Sequence, residues 1–206
     1  MNITFSREEF FSANPPGITD ILSGKSVFIA GAGGLGSNVA GIMARSGIGH
    51  LTIADFDTVS PSNMNRQQFF YSQIGMKKAD AIKENLSRIN PFMELKTVSE
   101  KLSPENFETF IPDTADIIFE CFDNPVSKAE LSRFCLEKRA GIPLIAVSGI
   151  AGTGPAEEIK ISRPYGNFYV IGDGNSDTNV FGVLASRVIL AAALQSHLAI
   201  RIMRGP

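Results

Sequence analysis

Apolar positions along this chain switch between two spacings. Short, mainly apolar runs stand at 26–30, 51–54, 116–121 and 143–147, the pattern of strands covered on both faces. Between them, apolar residues recur at helical intervals over 35–46, over 77–90 (Ala81, Ile82, Leu86 and Ile89) and over 126–140. Pro91 closes the second helix on this reading, because its ring disfavours helical geometry in the residue before it. Strand and helix in alternation predict an α/β fold: a Rossmann-like, open, mostly parallel sheet with helices on both faces.

The two ends depart from that rhythm. Ser6-Arg-Glu-Glu reads as a capping box that opens a short helix, which Asn14-Pro-Pro-Gly ends. After Gly149, the stretches 158–161 and 168–171 flank a Pro-Tyr-Gly-Asn turn and predict a C-terminal hairpin that extends the sheet. The last apolar stretch, 182–203, is interrupted by Arg187, Gln195, His197 and Arg201, so it reads as a packed final helix and not as a membrane span. One domain over 1–206 is expected, with an N-terminal helical segment at 1–22, a nucleotide-binding core at 24–150, and the hairpin and final helix at 151–206.

Composition narrows the class. At 206 residues and 44% apolar, the chain can bury one sizeable core. Its net charge is −2 and no basic run exceeds two residues, which argues against a broad surface for nucleic acid or anionic membrane. The opening MNITFSREEFF carries acids and lacks an apolar core, so no secretory signal is expected. With two cysteines and no pair at metal-ligand spacing, a reducing cytoplasmic setting without disulfides or zinc follows.

The chemistry lies in residues 31–67 and just beyond. Gly31 permits a tight bend after the first strand, Gly33 lets backbone approach a phosphate, and Gly36 lets the helix pack on the strand. The N–H groups at the helix start would meet an anion. Asp55 ends the second strand 55 − 36 = 19 residues after Gly36, where a carboxylate can accept hydrogen bonds from ribose hydroxyls. These features suit NAD, FAD and ATP alike. The long polar loop 56–67 points to ATP, because it leaves the carboxyl end of a strand, where open α/β sheets bind ligands. Arg66 and Lys78 would bring two positive charges, which a triphosphate needs more than a dinucleotide does. Asp123, just past the strand ending at Cys121, could hold the Mg²⁺ of such a polyphosphate. The plainer readings are a solvated helix lysine for Lys78 and a helix cap for Asp123.

Gly31-Ala-Gly-Gly-Leu-Gly-Ser37, Asp55-Phe-Asp57, Ser62-Asn-Met-Asn-Arg-Gln67, Lys78 and Cys121-Phe-Asp-Asn124 stand in order. Together they resemble the ThiF/MoeB family, bacterial relatives of ubiquitin-activating enzymes. The resemblance covers about 23–150 of the chain, and Asn167-Phe-Tyr-Val-Ile-Gly-Asp-Gly174 is similar to the short ThiF type. It implies an adenylyltransferase that uses ATP to activate the C-terminal glycine of a small ubiquitin-fold sulfur carrier protein as an acyl-adenylate, in thiamine biosynthesis, with release of pyrophosphate. A homodimer is expected from the apolar final helix and from the pairing of related enzymes. By the same resemblance Gly31, Gly33, Gly34, Gly36, Asp55 and Asp57 line the nucleotide, with Asp55 on the ribose. Asn63, Arg66, Gln67 and Lys78 would contact phosphates or the attacking carboxylate, and Asp123 would hold Mg²⁺. The catalytic residues it implies are Arg66, Lys78 and Asp123.

The departures from longer relatives also carry information. Their two Cys-x-x-Cys pairs for zinc are missing here, and 150–155 has no cysteine to link to a carrier. Cys121, in an apolar strand, and Cys135, inside a helix, read as packing residues, so sulfur is expected directly from a separate donor protein. Only Arg7 precedes Lys25, where long relatives carry an Arg-rich segment that reaches into the partner's site. His50 and His197 lie far in sequence from every motif and read as structural. Three other readings stay open. One is a tRNA-modifying ATP-dependent dehydratase of the same family, which calls for a basic face. A non-catalytic nucleotide- or carrier-binding subunit is opposed by Arg66, Lys78 and Asp123 together. An NAD oxidoreductase lacks a recognisable hydride-handling site.

Overall fold

The computed structural model describes residues 5–205, so the first four residues of the opening segment lie outside the described residues. The strands are β1 (Ser26–Ala30), β2 (His50–Ala54), β3 (Glu94–Val98), β4 (Ile117–Glu120), β5 (Leu144–Val147), β6 (Lys160–Tyr165) and β7 (Phe168–Gly172). They form one sheet in the order β3-β2-β1-β4-β5-β7-β6. Every pairing is parallel except that of β6, which runs antiparallel to β7 at the edge. From β1 the chain builds outward to β2 and β3, then returns to place β4 on the other side. That reversal opens a crevice at the carboxyl ends of β1 and β4, where α/β sheets take ligands. The registers Ala30↔Ala54 and Ala30↔Glu120 bring Gly31, Asp55 and Cys121 out of the sheet side by side.

Strand alternation feeds two cores. Val27 and Ile29 join Leu51, Ile53, Ile117 and Phe119 beneath α2 (Ile18–Ser23), α3 (Gly34–Ser46), α4 (Lys78–Ser87) and α8 (Ala185–Arg204). Phe28 and Ala30 join Ile118, Leu131 and Cys135 beneath α5 (Phe107–Phe110) and α6 (Pro125–Lys138). The sheet is therefore covered on both faces, as its apolar runs require.

Several expected boundaries shift. β3 was absent from the apolar pattern because Glu94-Leu-Lys-Thr-Val alternates at an edge, with only Val98 buried. α4 stops at Ser87 with Arg88 as its cap, ahead of Pro91. The capping box of α1 (Arg7–Phe10) is present: Ser6 Oγ accepts the Glu9 N–H at 3.1 Å and Glu9 Oε2 accepts the Ser6 N–H at 2.8 Å. That helix ends at Phe10, and Gly17 opens α2 instead of closing α1. A single helical turn, α7 (Thr178–Phe181), precedes α8, which begins at Ala185 and not at 182. No helix among the described residues is long and apolar enough to cross a membrane.

Candidate functional site

β1 delivers the chain into the glycine turn. Gly31 has φ +98°, its N–H donates to Ala54 O at 2.8 Å, and a Cβ there would sit 2.9 Å from the Cys121 carbonyl oxygen. Only glycine tolerates both constraints. At Gly36 a Cβ would overlap the Gly31 carbonyl oxygen, so α3 closes onto the turn only because no side chain is present. Gly33 differs. Its φ is −75°, and the nearest atom to a Cβ would be Gln67 Nε2 at 3.9 Å. Packing within the chain therefore leaves open space before the first turn of α3, whose unpaired N–H groups carry partial positive charge. At Gly34 a Cβ would lie 3.4 Å from the Arg66 stem, so that side chain crosses the helix start.

Asp55 fixes the next loop to this turn. Its Oδ2 accepts the Ala32 N–H at 2.7 Å and its Oδ1 accepts the Asp57 N–H at 2.8 Å. A carboxylate has about four lone-pair sites, so two further donors can be accommodated. Burial pushes the Asp55 pKa above the ordinary carboxylate value, against the opposing pull of Lys78 and of the two N–H groups. Lys78, the first residue of α4, is buried, with Nζ 2.9 Å from Asp57 Oδ2 and 4.0 Å from Asp55 Oδ2. The plain reading of Lys78 as a solvated helix lysine is thereby corrected.

The polar loop is built as a rigid turn. Asn63 is buried in the short helical turn Pro61–Asn63, and its Oδ1 accepts the Ser60 N–H at 3.0 Å. Arg66 Nη1 donates to Ser62 O at 3.0 Å and to Asn65 Oδ1 at 2.8 Å, and among the described residues its guanidinium pairs with no carboxylate. Gln67 is buried and its Oε1 has no hydrogen-bond partner. Two residues that the sequence reading missed hold this loop against α3. Ser37 Oγ accepts the Gln68 N–H at 3.1 Å, while Asn38 Nδ2 donates to Arg66 O at 2.9 Å and its Oδ1 accepts from Gln68 Nε2 at 2.7 Å. The available signal was a Ser-Asn pair inside an apolar helix, since buried polar groups require partners.

Asp123 lies between β4 and α6 with its side chain exposed. The α6 cap is Asn124, whose Oδ1 accepts the Val126 and Ser127 N–H groups at 2.9 and 3.1 Å. This corrects the reading of Asp123 as a cap. The Cys121 N–H donates to Ala30 O at 2.9 Å, which holds the Asp123 turn beside the glycine turn. Glu120, also missed, is wholly buried at the end of β4. Its Oε1 accepts the Phe122 N–H at 2.8 Å and its Oε2 meets Lys128 Nζ at 2.6 Å. Burial raises the Glu120 pKa, with Lys128 opposing. An acid closing an otherwise apolar strand was the signal.

The remaining candidates lie apart from these groups. Arg7 Nη2 donates to Phe92 O at 2.7 Å, and its guanidinium sits 5.9 Å from the Phe92 ring centroid; Phe92 precedes β3, at the amino end of the strands. His50 pairs with Glu94 Oε2 at 3.1 Å at that same end, and His197 is exposed on α8. Both thiols are buried; burial pushes the Cys135 pKa up to about 12 and that of Cys121 further still. A groove of about 380 Å³ is lined by Ser26, His50, Glu94 and Asp116 at the amino ends of the strands. Another, of about 690 Å³, is lined by Arg163, Tyr169, Arg201 and Arg204.

The residues at the carboxyl end fit a nucleotide carrying Mg²⁺. Space is left at Gly33, the donor Gln67 Nε2 is the nearest atom to it, and Arg66 lacks a carboxylate partner among the described residues. The exposed Asp123 carboxylate, on the turn held beside the glycine turn, is a donor of the kind Mg²⁺ takes when it is bound mainly by phosphate oxygens and one or two carboxylates.

Comparison with known proteins bears on this geometry. The chain is 40% identical over 130 residues to adenylyltransferase and sulfurtransferase UBA4 of Eremothecium gossypii, a match covering 62% of this chain and 28% of that protein. It is 36% identical over 130 residues to molybdopterin-synthase adenylyltransferase of Haemophilus influenzae, covering 63% of this chain and 52% of the relative. These matches span about half, or less, of the curated relatives' length. The fold matches E. coli tRNA N6-threonylcarbamoyladenosine dehydratase in complex with ATP at TM-score 0.87 and 20% identity, over 98% of this chain and 97% of that one. The model of the ThiF family matches residues 6–205, and the chain belongs to the ThiF family.

Proposed function

We propose that this chain is an ATP-dependent adenylyltransferase that activates the C-terminal glycine carboxylate of a ubiquitin-fold sulfur carrier protein, in thiamine biosynthesis. The observation that carries the reading is the open approach to the α3 N-terminus at Gly33, where the nearest side-chain atom is the donor Gln67 Nε2 and the Arg66 stem crosses the adjoining Gly34. Relatives named adenylyltransferases support it.

In this reading Gly31, Gly33, Gly34 and Gly36 let the phosphates meet backbone N–H groups. Asp55 accepts hydrogen bonds from the ribose, with Asp57 holding Lys78 in place beside it. Asn63, Arg66, Gln67 and Lys78 face the phosphates and the incoming carboxylate. Asp123 would hold the Mg²⁺ that accompanies the polyphosphate, and the cation would offset part of its negative charge. The carrier carboxylate is already ionised at neutral pH, so no general base is needed to activate it. One of its oxygens bonds to the α-phosphorus as the bond from that phosphorus to pyrophosphate breaks. Positioning and charge stabilisation then account for the catalysis, and no histidine is required.

ATP–pyrophosphate exchange, run with each candidate carrier in turn, tests the reading. Exchange that depends on one carrier with a C-terminal glycine supports it; no exchange with any carrier overturns it. With both thiols buried, the sulfur donor in this scheme is a separate protein acting directly on the acyl-adenylate. A homodimer is part of the proposal, supported by the exposed apolar Ile161 and Tyr165 on β6 and Ile189 on α8. Light scattering that returns a monomer mass at micromolar concentration removes that part.

A second reading, an ATP-dependent dehydratase acting on tRNA, draws on one observation. Arg163 joins Arg201 and Arg204 of α8 about a single groove, although it lies far from them in sequence. A filter-binding assay separates the two: salt-sensitive tRNA binding lost in Arg163→Ala/Arg201→Ala favours the dehydratase.

A further inference from the structure

Glu120 and Lys128 lie outside the set of residues that would touch ATP, yet they enclose its metal-facing turn. Glu120 Oε1 accepts the Phe122 N–H at 2.8 Å, and Lys128 Nζ donates to the Phe122 carbonyl oxygen at 3.0 Å while meeting Glu120 Oε2 at 2.6 Å. Both backbone groups of Phe122 are thus held by one ion pair. On the other side of Asp123, Asn124 is fixed by its two cap hydrogen bonds. The backbone of Asp123 is pinned from both directions, while its side chain is exposed.

Resting on the adenylation reading, we propose that the Glu120–Lys128 pair is a positioning device that aims the Asp123 carboxylate at the divalent cation on the nucleotide. A buried ion pair is a poor way to gain stability, since apolar residues of similar volume do as well or better. Glu120 is wholly buried, so its desolvation cost is large. What the pair supplies is the orientation of the two peptide planes on either side of the Phe122 Cα, the second of which leads into Asp123. Those planes lie against the glycine turn: the Cys121 N–H donates to Ala30 O at 2.9 Å, and Gly31 approaches so closely that an added Cβ would lie 2.9 Å from the Cys121 carbonyl oxygen and 3.4 Å from the Phe122 ring. Any tilt of the Phe122 peptide moves Asp123 relative to the glycine turn. Residues that orient a metal ligand typically change metal affinity without contacting the metal.

The test uses Mn²⁺ in place of Mg²⁺, titrated by electron paramagnetic resonance into protein saturated with a non-reacting α,β-methylene ATP analogue. Lys128→Met should weaken Mn²⁺ binding about tenfold or more, leave metal-free analogue affinity unchanged, and be largely rescued by Lys128→Arg, which can bridge the same two oxygens. If Lys128→Met does not fold, Glu120→Gln/Lys128→Met, which leaves no unpaired buried charge, takes its place with the same expectation. Mn²⁺ affinity unchanged in the lysine variant but lost in Asp123→Asn overturns the positioning role and leaves the adenylation reading standing. Mn²⁺ affinity unchanged in Asp123→Asn removes the metal role of Asp123, and this inference with it.

Discussion

The Asp55 carboxylate accepts the Ala32 N–H at 2.7 Å, which fastens the end of β2 to the glycine turn that leaves β1. One side chain therefore shapes the turn and, in the proposed function, would also accept hydrogen bonds from the ribose. Burial holds its pKa above the ordinary carboxylate value despite Lys78 and two N–H donors. The stability linked to its protonated form is complete below the ordinary value and is lost as pH rises through the raised one. Ribose hydroxyls favour the ionised form, so ATP binding should release a proton within that window and weaken as pH falls through it. Calorimetry in buffers of different ionisation enthalpy counts the proton. Undiminished release in Asp55→Asn would assign the titration to another group.

The two helix-start glycines should separate folding from binding. Gly36→Ala drives a methyl into the Gly31 carbonyl oxygen and should cost about 3 kcal/mol or more, or prevent folding. Gly33→Ala meets nothing closer than 3.9 Å, so its thermal stability should stay near wild type while its exchange rate falls by about 10²-fold. Wild-type exchange in Gly33→Ala would mean that no phosphate approaches there.

Arg66 and Lys78 should behave differently when truncated. Either alanine variant should slow adenylation by about 10²- to 10³-fold if its charge acts on the transition state. Arg66 is partly exposed, so Arg66→Ala should change stability by no more than about 0.5 kcal/mol. Lys78→Ala removes the cation between Asp57 and Asp55 and should cost about 1–3 kcal/mol. Chemical denaturation and pyrophosphate exchange measure the two quantities. Exchange within about threefold of wild type in both variants would remove the proposed site.

The thiols should be silent. Burial keeps Cys121 and Cys135 protonated at neutral pH, and the thiolate is the reactive form. Native protein should resist iodoacetamide until it is unfolded, and mass spectrometry under non-reducing conditions should show no enzyme–carrier adduct. An adduct that vanishes in Cys121→Ala or Cys135→Ala would make that thiol catalytic and reverse the sulfur-donor proposal.

Much of the fold was legible because its signals are local. The apolar runs at 26–30 and 143–147 needed no distant partner to read as buried strands, and the Ser6 capping box is complete within four residues. The glycine spacing was legible for the same reason, since the bend at Gly31 and the close packing at Gly36 follow from the backbone alone. Tertiary structure decided what depends on residues distant in the chain. Glu94–Val98 becomes a strand because β2 offers it a free edge, and its own alternation is too polar to announce it. Lys78 is buried because the chain brings Asp57 against the start of α4, and Arg187, read only as a break in an apolar run, is buried against Asp173 at 2.7 Å. Asn124 takes the helix cap, so the carboxylate of Asp123 is left exposed. Periodicity fixes which face of an element is apolar, but partners and burial are set by contacts between elements, and the polar groups of this site are defined by those contacts.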